Sequence, residues 1–301
     1  MVITHQRQGH TLDGALSPIF VRDCKDTKYN LNDKIMKTPI TYWGGKQQLA
    51  QTILKLIPDH KQYDEPFFGG GAIFFAKQPA ECEFINDING EMVNFYRTLK
   101  LDFDQLKTEI DCTLHSEFQH KQAKDIYTSP LTHSSIMRAW AVWMLSHQSV
   151  YAILTNTWSV AIDKNKAKQI QNLKEIFTIK YARRLENTSI FCRDALNVIK
   201  STDRKTTFHY VDPPYFNADM GHYEGYTLDD FKNLLDTLEK VEGKFMLSTY
   251  PSEILSEYAQ RNGWRMVEIN MHRSAGNGTK TEVITMNYDL AGNKQLSLDD
   301  L

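Results

Sequence analysis

HYVDPPYF, residues 209–216, closes an apolar run with an aspartate, two prolines and a tyrosine. The residues leading into it, TFHYV (207–211), have the β-branched and aromatic content of a buried strand. Two successive prolines end such a strand, because neither offers a backbone N–H to the ladder and each fixes φ at about −65°. The strand therefore gives way to a stiff loop that holds a carboxylate, Asp212, beside an aromatic ring, Tyr215. A rigid turn with no further duty is the plain alternative, and the flanking text decides between the two.

On both sides the chain repeats strand, turn and helix. Upstream, TPITYWGGKQQLAQTILKLIP (38–58) reads as a turn followed by a helix with Leu49, Ile53, Leu56 and Ile57 on one face, stopped by Pro58. QYDEPFFGGG (62–71) and CEFINDIN (82–89) are short strands running into loops, the second followed by a helix through Met92, Phe95, Tyr96 and Leu99. TSIFCRDAL (188–196) is another strand entering a helix. Beyond the opening motif, Thr227 caps a helix with Asp229 and Asp230 in its first turn. Its stripe is Phe231, Leu234, Leu235, Leu238 and Val241, and Gly243 is expected to end it. KFMLSTY (244–250) is a strand, and WRMVEINM (264–271) and TEVITMNY (281–288) read as an antiparallel pair around an AGNG loop. The spacing predicts an α/β fold with a mostly parallel sheet and a terminal antiparallel pair. Residues 1–37 read as a polar N-terminal extension, 38–99 with 189–301 as the main domain, and 100–188 as a helical insertion with a core-facing helix through Met137, Trp140, Ala141, Met144 and Leu145.

Composition narrows the field. At 301 residues, 41% hydrophobic and 24% charged, the chain is long enough for one large domain with an insertion. Its longest apolar run, Ala139 to Leu145, is far too short to span a bilayer, so no membrane partner is expected. MVITHQRQGH lacks a secretion signal's apolar core, which points to the cytoplasm. Cys24, Cys82, Cys112 and Cys192 are scattered and no metal site is expected. Net charge is −2, yet Lys164, Lys166, Lys168, Lys174, Lys180, Arg183 and Arg184 face only Glu175 across that stretch. Such a stripe reads equally as a phosphate track or as a solvated helix.

Ligands of open α/β sheets bind at the carboxyl ends of the strands, where four loops gather. FFGGGA (67–72) lets backbone approach a ligand, although a glycine triplet also makes a flexible turn. Asp87 can accept both hydroxyls of a ribose, or cap the next helix. Asp194 can accept from an adenine amine, or serve as a plain N-cap. The fourth loop is DPPY. Methylating an exocyclic amine requires its lone pair to leave conjugation with the ring and point at an electrophile. Asp212 can accept one N–H, a backbone carbonyl such as that of Pro213 the other, and Tyr215 offers a stacking face. Pro213 and Pro214 hold the loop stiff, so pre-aligned hydrogen bonds supply the rate without a covalent intermediate.

In this order the motifs resemble the Dam-like (D12 class) DNA adenine-N6 methyltransferases, from about residue 38 to 289. Their marks here are Tyr42-Trp43-Gly44-Gly45-Lys46, E-P-F-x-G-x-G (Glu65 to Gly71), D-I-N (Asp87 to Asn89) and D-P-P-Y (Asp212 to Tyr215). An S-x-Y strand (Leu247 to Tyr250) and a terminal T-E-x-x-x-x-N-Y (Thr281 to Tyr288) complete the series. The resemblance implies a Rossmann-like methyltransferase sheet, S-adenosyl-L-methionine as donor, and a flipped-out adenine in double-stranded DNA as target. It places Tyr42, Trp43, Lys46, Phe68, Gly69, Gly71, Asp87, Asp194 and Asp212 around the cofactor, with Lys46 also within reach of the base. Asp212, Pro213, Pro214 and Tyr215 become the catalytic corner, while Lys164, Lys166, Lys168, Arg183 and Arg184 are the expected DNA contacts. Residues 100–188 fall where the family keeps its target-recognition element, and nothing there predicts which DNA sequence is methylated. A nucleoid-associated enzyme is the expectation, with a homodimer and a restriction partner both open. Methylation of cytosine N4 or RNA adenine, or a catalytically silent DNA-binding regulator, are the competing readings.

Overall fold

The computed structural model describes residues 35–216, 226–272 and 279–290. The expected N-terminal extension lies almost wholly outside them, as does the AGNG loop. Seven strands form one sheet: β1 (Gln62–Glu65), β2 (Cys82–Asn86), β3 (Thr188–Phe191), β4 (Thr207–Val211), β5 (Lys244–Thr249), β6 (Arg265–His272) and β7 (Thr279–Met286). Their order is β3-β2-β1-β4-β5-β7-β6. The first five run parallel, β7 is antiparallel to β5, and β6 to β7. This is the α/β sheet that the sequence pattern predicts.

Between the strands lie α1 (Ala50–Leu56), α2 (Ala72–Ala76), α3 (Gly90–Leu101), α4 (Phe103–Asp111), α5 (Glu117–Thr128), α6 (Ser135–Gln148), α7 (Lys166–Ile176) and α8 (Lys180–Arg184). After β3 come α9 (Ala195–Thr202), α10 (Leu228–Leu238) and α11 (Glu253–Asn262). Parallel strands covered on both faces have no wet side, and β4 accordingly buries all of its residues. Its side chains alternate between two cores. Phe208 and Tyr210 join Met246, Ile284 and the helices α1 to α6, whereas Val211 joins Phe245, Leu247, Phe231 and Leu235 on the opposite face. Trp140, Trp143 and Leu145 of α6 belong to the first of these cores, so the helical section shares its core with the sheet.

Local chemistry sets the ends of α10. Thr227 accepts from the Asp230 amide while the Asp230 carboxylate takes the Thr227 amide, a reciprocal capping box. The far end differs from expectation, because the helix stops at Leu238 and not at Gly243. Gly243 instead serves close packing: a Cβ there would meet the Thr207 carbonyl oxygen at 2.7 Å and that of Arg204 at 2.8 Å. Val241, on the turn, still packs into the core beneath α10.

One topological feature positions the candidate site. From β1 the chain steps outward to β2 and β3, then returns to place β4 on the other side of β1. Ligand crevices form where strand order reverses in this way. Asp64 of β1 pairs in register with His209 of β4, so the loops leaving Glu65 and Val211 start side by side.

Candidate active site

The glycine loop after β1 is held from three directions. Asp87 Oδ2 accepts the Gly69 amide at 2.9 Å, and the Tyr96 hydroxyl donates to the Gly69 carbonyl at 2.7 Å. Gly69 has φ 46° and Gly71 φ 66°, a region that side chains rarely enter. Space forbids a side chain as well. A Cβ on Gly69 would lie 2.9 Å from the Tyr42 ring, and one on Gly71 would lie 2.5 Å from the Phe68 ring. Tyr42 and Phe68 therefore pack directly on the loop.

Asp87 ties this loop to the next, since its Oδ1 takes the Asn89 amide at 2.9 Å. Burial raises its carboxyl above the usual range, against the pull of the Asn89 and Gly69 amides. The helix cap weighed for Asp87 falls to Asn89, whose side chain accepts from the Glu91 amide at 3.0 Å. Asp194 is the N-cap of α9, accepting from the Asn197 amide at 2.9 Å, and is exposed. Asn86 joins three loops in one step. Its Nδ2 donates to the carbonyls of Pro66 and Arg193 at 2.9 Å each, and its Oδ1 accepts the Arg193 amide at 3.0 Å.

The Y-W-G-G-K turn reaches the site from α6. His147 is half-buried, and the loss of solvent around its ring lowers its pKa to about 4, so the ring is neutral at pH 7. Nε2 faces the Pro39 carbonyl at 3.3 Å, which can only accept, so Nδ1 accepts from the Thr41 hydroxyl at 3.1 Å. Trp43 meets Tyr151 edge-on, with ring centroids 5.5 Å apart. Lys46 then turns inward. Its ammonium donates to Asp212 Oδ1 at 2.7 Å and Oδ2 at 2.9 Å, and to the Gly44 carbonyl at 3.1 Å.

Around Asp212 the D-P-P-Y corner forms a closed network. The Tyr215 hydroxyl lies 3.2 Å from Asp212 Oδ1 and donates to Glu282 of β7. Glu282 also accepts from Ser248 Oγ at 2.6 Å, and its Oε1 is 3.6 Å from the Lys46 ammonium. The Tyr215 ring stands edge-on to Tyr250 at 4.4 Å and beneath Lys46 at 5.1 Å. Burial pushes the Asp212 carboxyl up, Lys46 pulls it down, and the Glu282 charge pushes it up again, leaving it above the ordinary value. Glu65, behind the corner, is raised to about 8 by burial, with Asp212 adding to the effect against the Tyr63 hydrogen bond. At pH 7 it is therefore largely protonated.

A family model described as the D12 class N6 adenine-specific DNA methyltransferases matches residues 42–272. The chain belongs to this family. It is an adenine-N6-specific DNA methyltransferase. It is 28% identical to the Type II methyltransferase M1.LlaDCHI of Lactococcus lactis subsp. cremoris, over 85% of this chain and 97% of that protein. Identity to the Type II methyltransferase M.MjaIII of Methanocaldococcus jannaschii is 27%, over 83% of this chain and 99% of that one. The DNA adenine methylase of Escherichia coli K12 is 20% identical, over 80% and 90% respectively.

In this methyltransferase the residues named from sequence separate into three groups. Asp212, Pro213, Pro214, Tyr215 and Lys46 gather at one corner, and Tyr42, Phe68, Gly69, Gly71 and Asp87 at the adjoining glycine loop. Lys164, Lys166, Lys168 and Arg183 form the third group, on α7, the loop before it and α8. Arg184 requires correction as a DNA contact. Its guanidinium is 7% exposed, pairs with Glu83, donates to the Phe74 carbonyl at 2.8 Å and lies on the Phe74 ring at 3.6 Å. It braces α8 against the sheet and is closed to phosphate. Sequence reasoning assigned no role to Glu282, Asn86 or Tyr96. The signal for Glu282 was an acid set among apolar residues of an alternating strand, and for Asn86 an amide at a strand's buried end.

Proposed function

We propose that the chain transfers the methyl group of S-adenosyl-L-methionine to N6 of an adenine turned out of duplex DNA. The observation that carries this reading is the position of Asp212. It is an ionisable carboxylate at the end of β4, on the switch point, with an aromatic ring on one side and a glycine loop starting on the other.

The residues fit the donor. Each oxygen of Asp87 holds one backbone amide, and a carboxylate oxygen has a second lone pair free for a ribose hydroxyl. Asp212 and Glu282 bring two carboxylates to this corner, which suits a cationic sulfonium. Tyr42, Trp43, Lys46, Phe68, Gly69 and Gly71 would line the rest, and Asp194 keeps one carboxylate oxygen for an adenine amine beyond its capping bond. When bound, S-adenosyl-L-methionine supplies a methyl carbon activated by its positive sulfur.

The chain's own residues act on the amine. Asp212 accepts one N6–H and the Pro213 carbonyl the other, which draws the lone pair out of the ring and aims it. Tyr215 stacks on the base, its hydroxyl anchored on Glu282 so that the ring cannot swing. Once N6 has gained its methyl it is acidic, and Asp212 is the acceptor for the surplus proton. Alignment of this kind acts through proximity and fixed hydrogen bonds. A paired adenine cannot present both N6 hydrogens to protein, so the base must leave the stack.

Lys164, Lys166, Lys168 and Arg183 are the proposed phosphate contacts. The lysines crowd the N-terminus of α7, where the helix dipole disfavours cations and favours anions. Duplex DNA is thus the partner and the cytoplasm the place of action. Incubation with methyl-labelled S-adenosyl-L-methionine and duplex DNA tests the reading. Label recovered as N6-methyladenine is the expected result; label in N4-methylcytosine, or none, contradicts it.

A further inference from the structure

We propose that Glu282 is a second seat for the Lys46 ammonium, which passes to it from Asp212 when an adenine amine arrives, making Glu282 a positioning residue for methyl transfer. This rests on the reading of Asp212 as the amine acceptor.

The geometry sets the problem. Lys46 contacts both oxygens of Asp212, at 2.7 and 2.9 Å, so an incoming amine competes with it for the same carboxylate. Lys46 is 6% exposed, and a buried ammonium cannot give up its anion without another to receive it. Glu282 Oε1 lies 3.6 Å from the same nitrogen, too long for a good hydrogen bond and within reach of a small rotation of the lysine stem. Glu282 is itself 1% exposed, and Ser248 and Tyr215 reach it with neutral hydroxyls. A closer ammonium would stabilise this buried anion further, because a charge-assisted hydrogen bond is about twice as strong as a neutral one.

The two partners also differ in freedom. Glu282 sits in β7, paired with both β5 and β6, and is fixed by the sheet. Lys46 opens a single 3-10 turn, Lys46–Gln48, on a four-carbon stem. The lysine moves and the glutamate waits. When Lys46 leaves Asp212, Oδ1 and Oδ2 are released to the amine, while Tyr215 remains tethered to Glu282.

Glu282→Gln tests this, because glutamine can still accept from Ser248 and Tyr215 and lacks only the charge. The expected result is a kcat lower by about tenfold to a hundredfold, the scale of one charge-assisted hydrogen bond. In a Lys46→Met background the same substitution should add less than about threefold, since no ammonium remains to be seated. The acid limb of the kcat profile should also move to lower pH in Glu282→Gln, because the like charge that raises Asp212 is gone. Losses that multiply in the double variant, or a single variant within about threefold of wild type, overturn the proposal. Should Glu282→Gln not fold, Glu282→Asp keeps the charge but withdraws it by one methylene. Its loss must likewise vanish without Lys46, and a loss that persists overturns the proposal. Wild-type protein run in parallel separates the failures: no transfer at all to duplex DNA overturns the functional reading, and this inference with it.

Discussion

Two carboxylates of the same sheet, buried Glu83 on β2 and half-buried Asp212 after β4, sit in opposite electrostatic company. Glu83 is one anion held by two cations. Lys77 approaches Oε1 at 2.6 Å, Arg184 grips both oxygens, and the Ala80 amide adds a bond at 3.0 Å. Burial alone would raise its pKa, and Arg184 and Lys77 together outweigh that and hold it below the ordinary range. Asp212 and Glu282 are two carboxylates that both face the Lys46 ammonium, and the Asp212 pKa ends above the ordinary range. The difference separates a brace from a working group. A carboxylate with more donors than it needs has nothing left to offer a ligand. One that shares a cation with a neighbouring anion has a use for a new donor.

Breaking the brace should produce the largest effect on stability. Glu83→Gln leaves Lys77 and Arg184 buried beside an uncharged amide, and a broken buried pair costs about 3–5 kcal/mol. Lys77 already has its pKa lowered to about 8 by burial against the pull of Glu83, so it will respond by losing its proton. Urea denaturation should show the loss, with methyl transfer per folded molecule unchanged. A loss below about 1 kcal/mol would put Glu83 among ordinary surface pairs.

A smaller effect sharpens the other side. Lys46→Met removes the charge that pulls Asp212 down, so the Asp212 pKa rises further and the acid limb of kcat/KM moves to higher pH. The sign follows from the carboxylate being the active form: what destabilises the anion makes it disappear at a higher pH. A pH–rate profile of the two proteins measures this, and an acid limb that stays in place would mean that Lys46 does not govern Asp212.

The smallest effect concerns charges outside both clusters. Replacing Lys164, Lys166 and Lys168 with glutamine should weaken DNA binding and reduce the slope of log K against log salt by about 0.9 for each phosphate that is no longer neutralised. Binding titrations at several salt concentrations check it. An unchanged slope assigns these lysines to solvent.

How much could be read from sequence depends on the range of the interactions involved. The strands, their order of appearance and the Thr227 cap depend on neighbours a few residues apart, and periodicity and residue type reveal them. The corner at Asp212 was legible because two prolines and a tyrosine are adjacent to it in the chain. Arg184 was misread because its partner, Glu83, is 101 residues away, and a basic run looks the same whether its members face water or a buried acid. The end of α10 was misplaced for a related reason. Gly243 is required by the carbonyls of Arg204 and Thr207, at the start of β4, and not by the helix before it. Glu282 could be seen as part of a motif, but its meeting with Lys46 depends on β7 folding back beside β5, next but one to the strand that carries Asp212.

If Asp212 aligns the amine that receives the methyl group, single-turnover transfer by Asp212→Ala is the most direct test. With duplex DNA and S-adenosyl-L-methionine both saturating, the rate should fall by about 10²–10³ or more, while DNA affinity stays within a few fold of wild type. Transfer at close to the wild-type rate would contradict that role for Asp212.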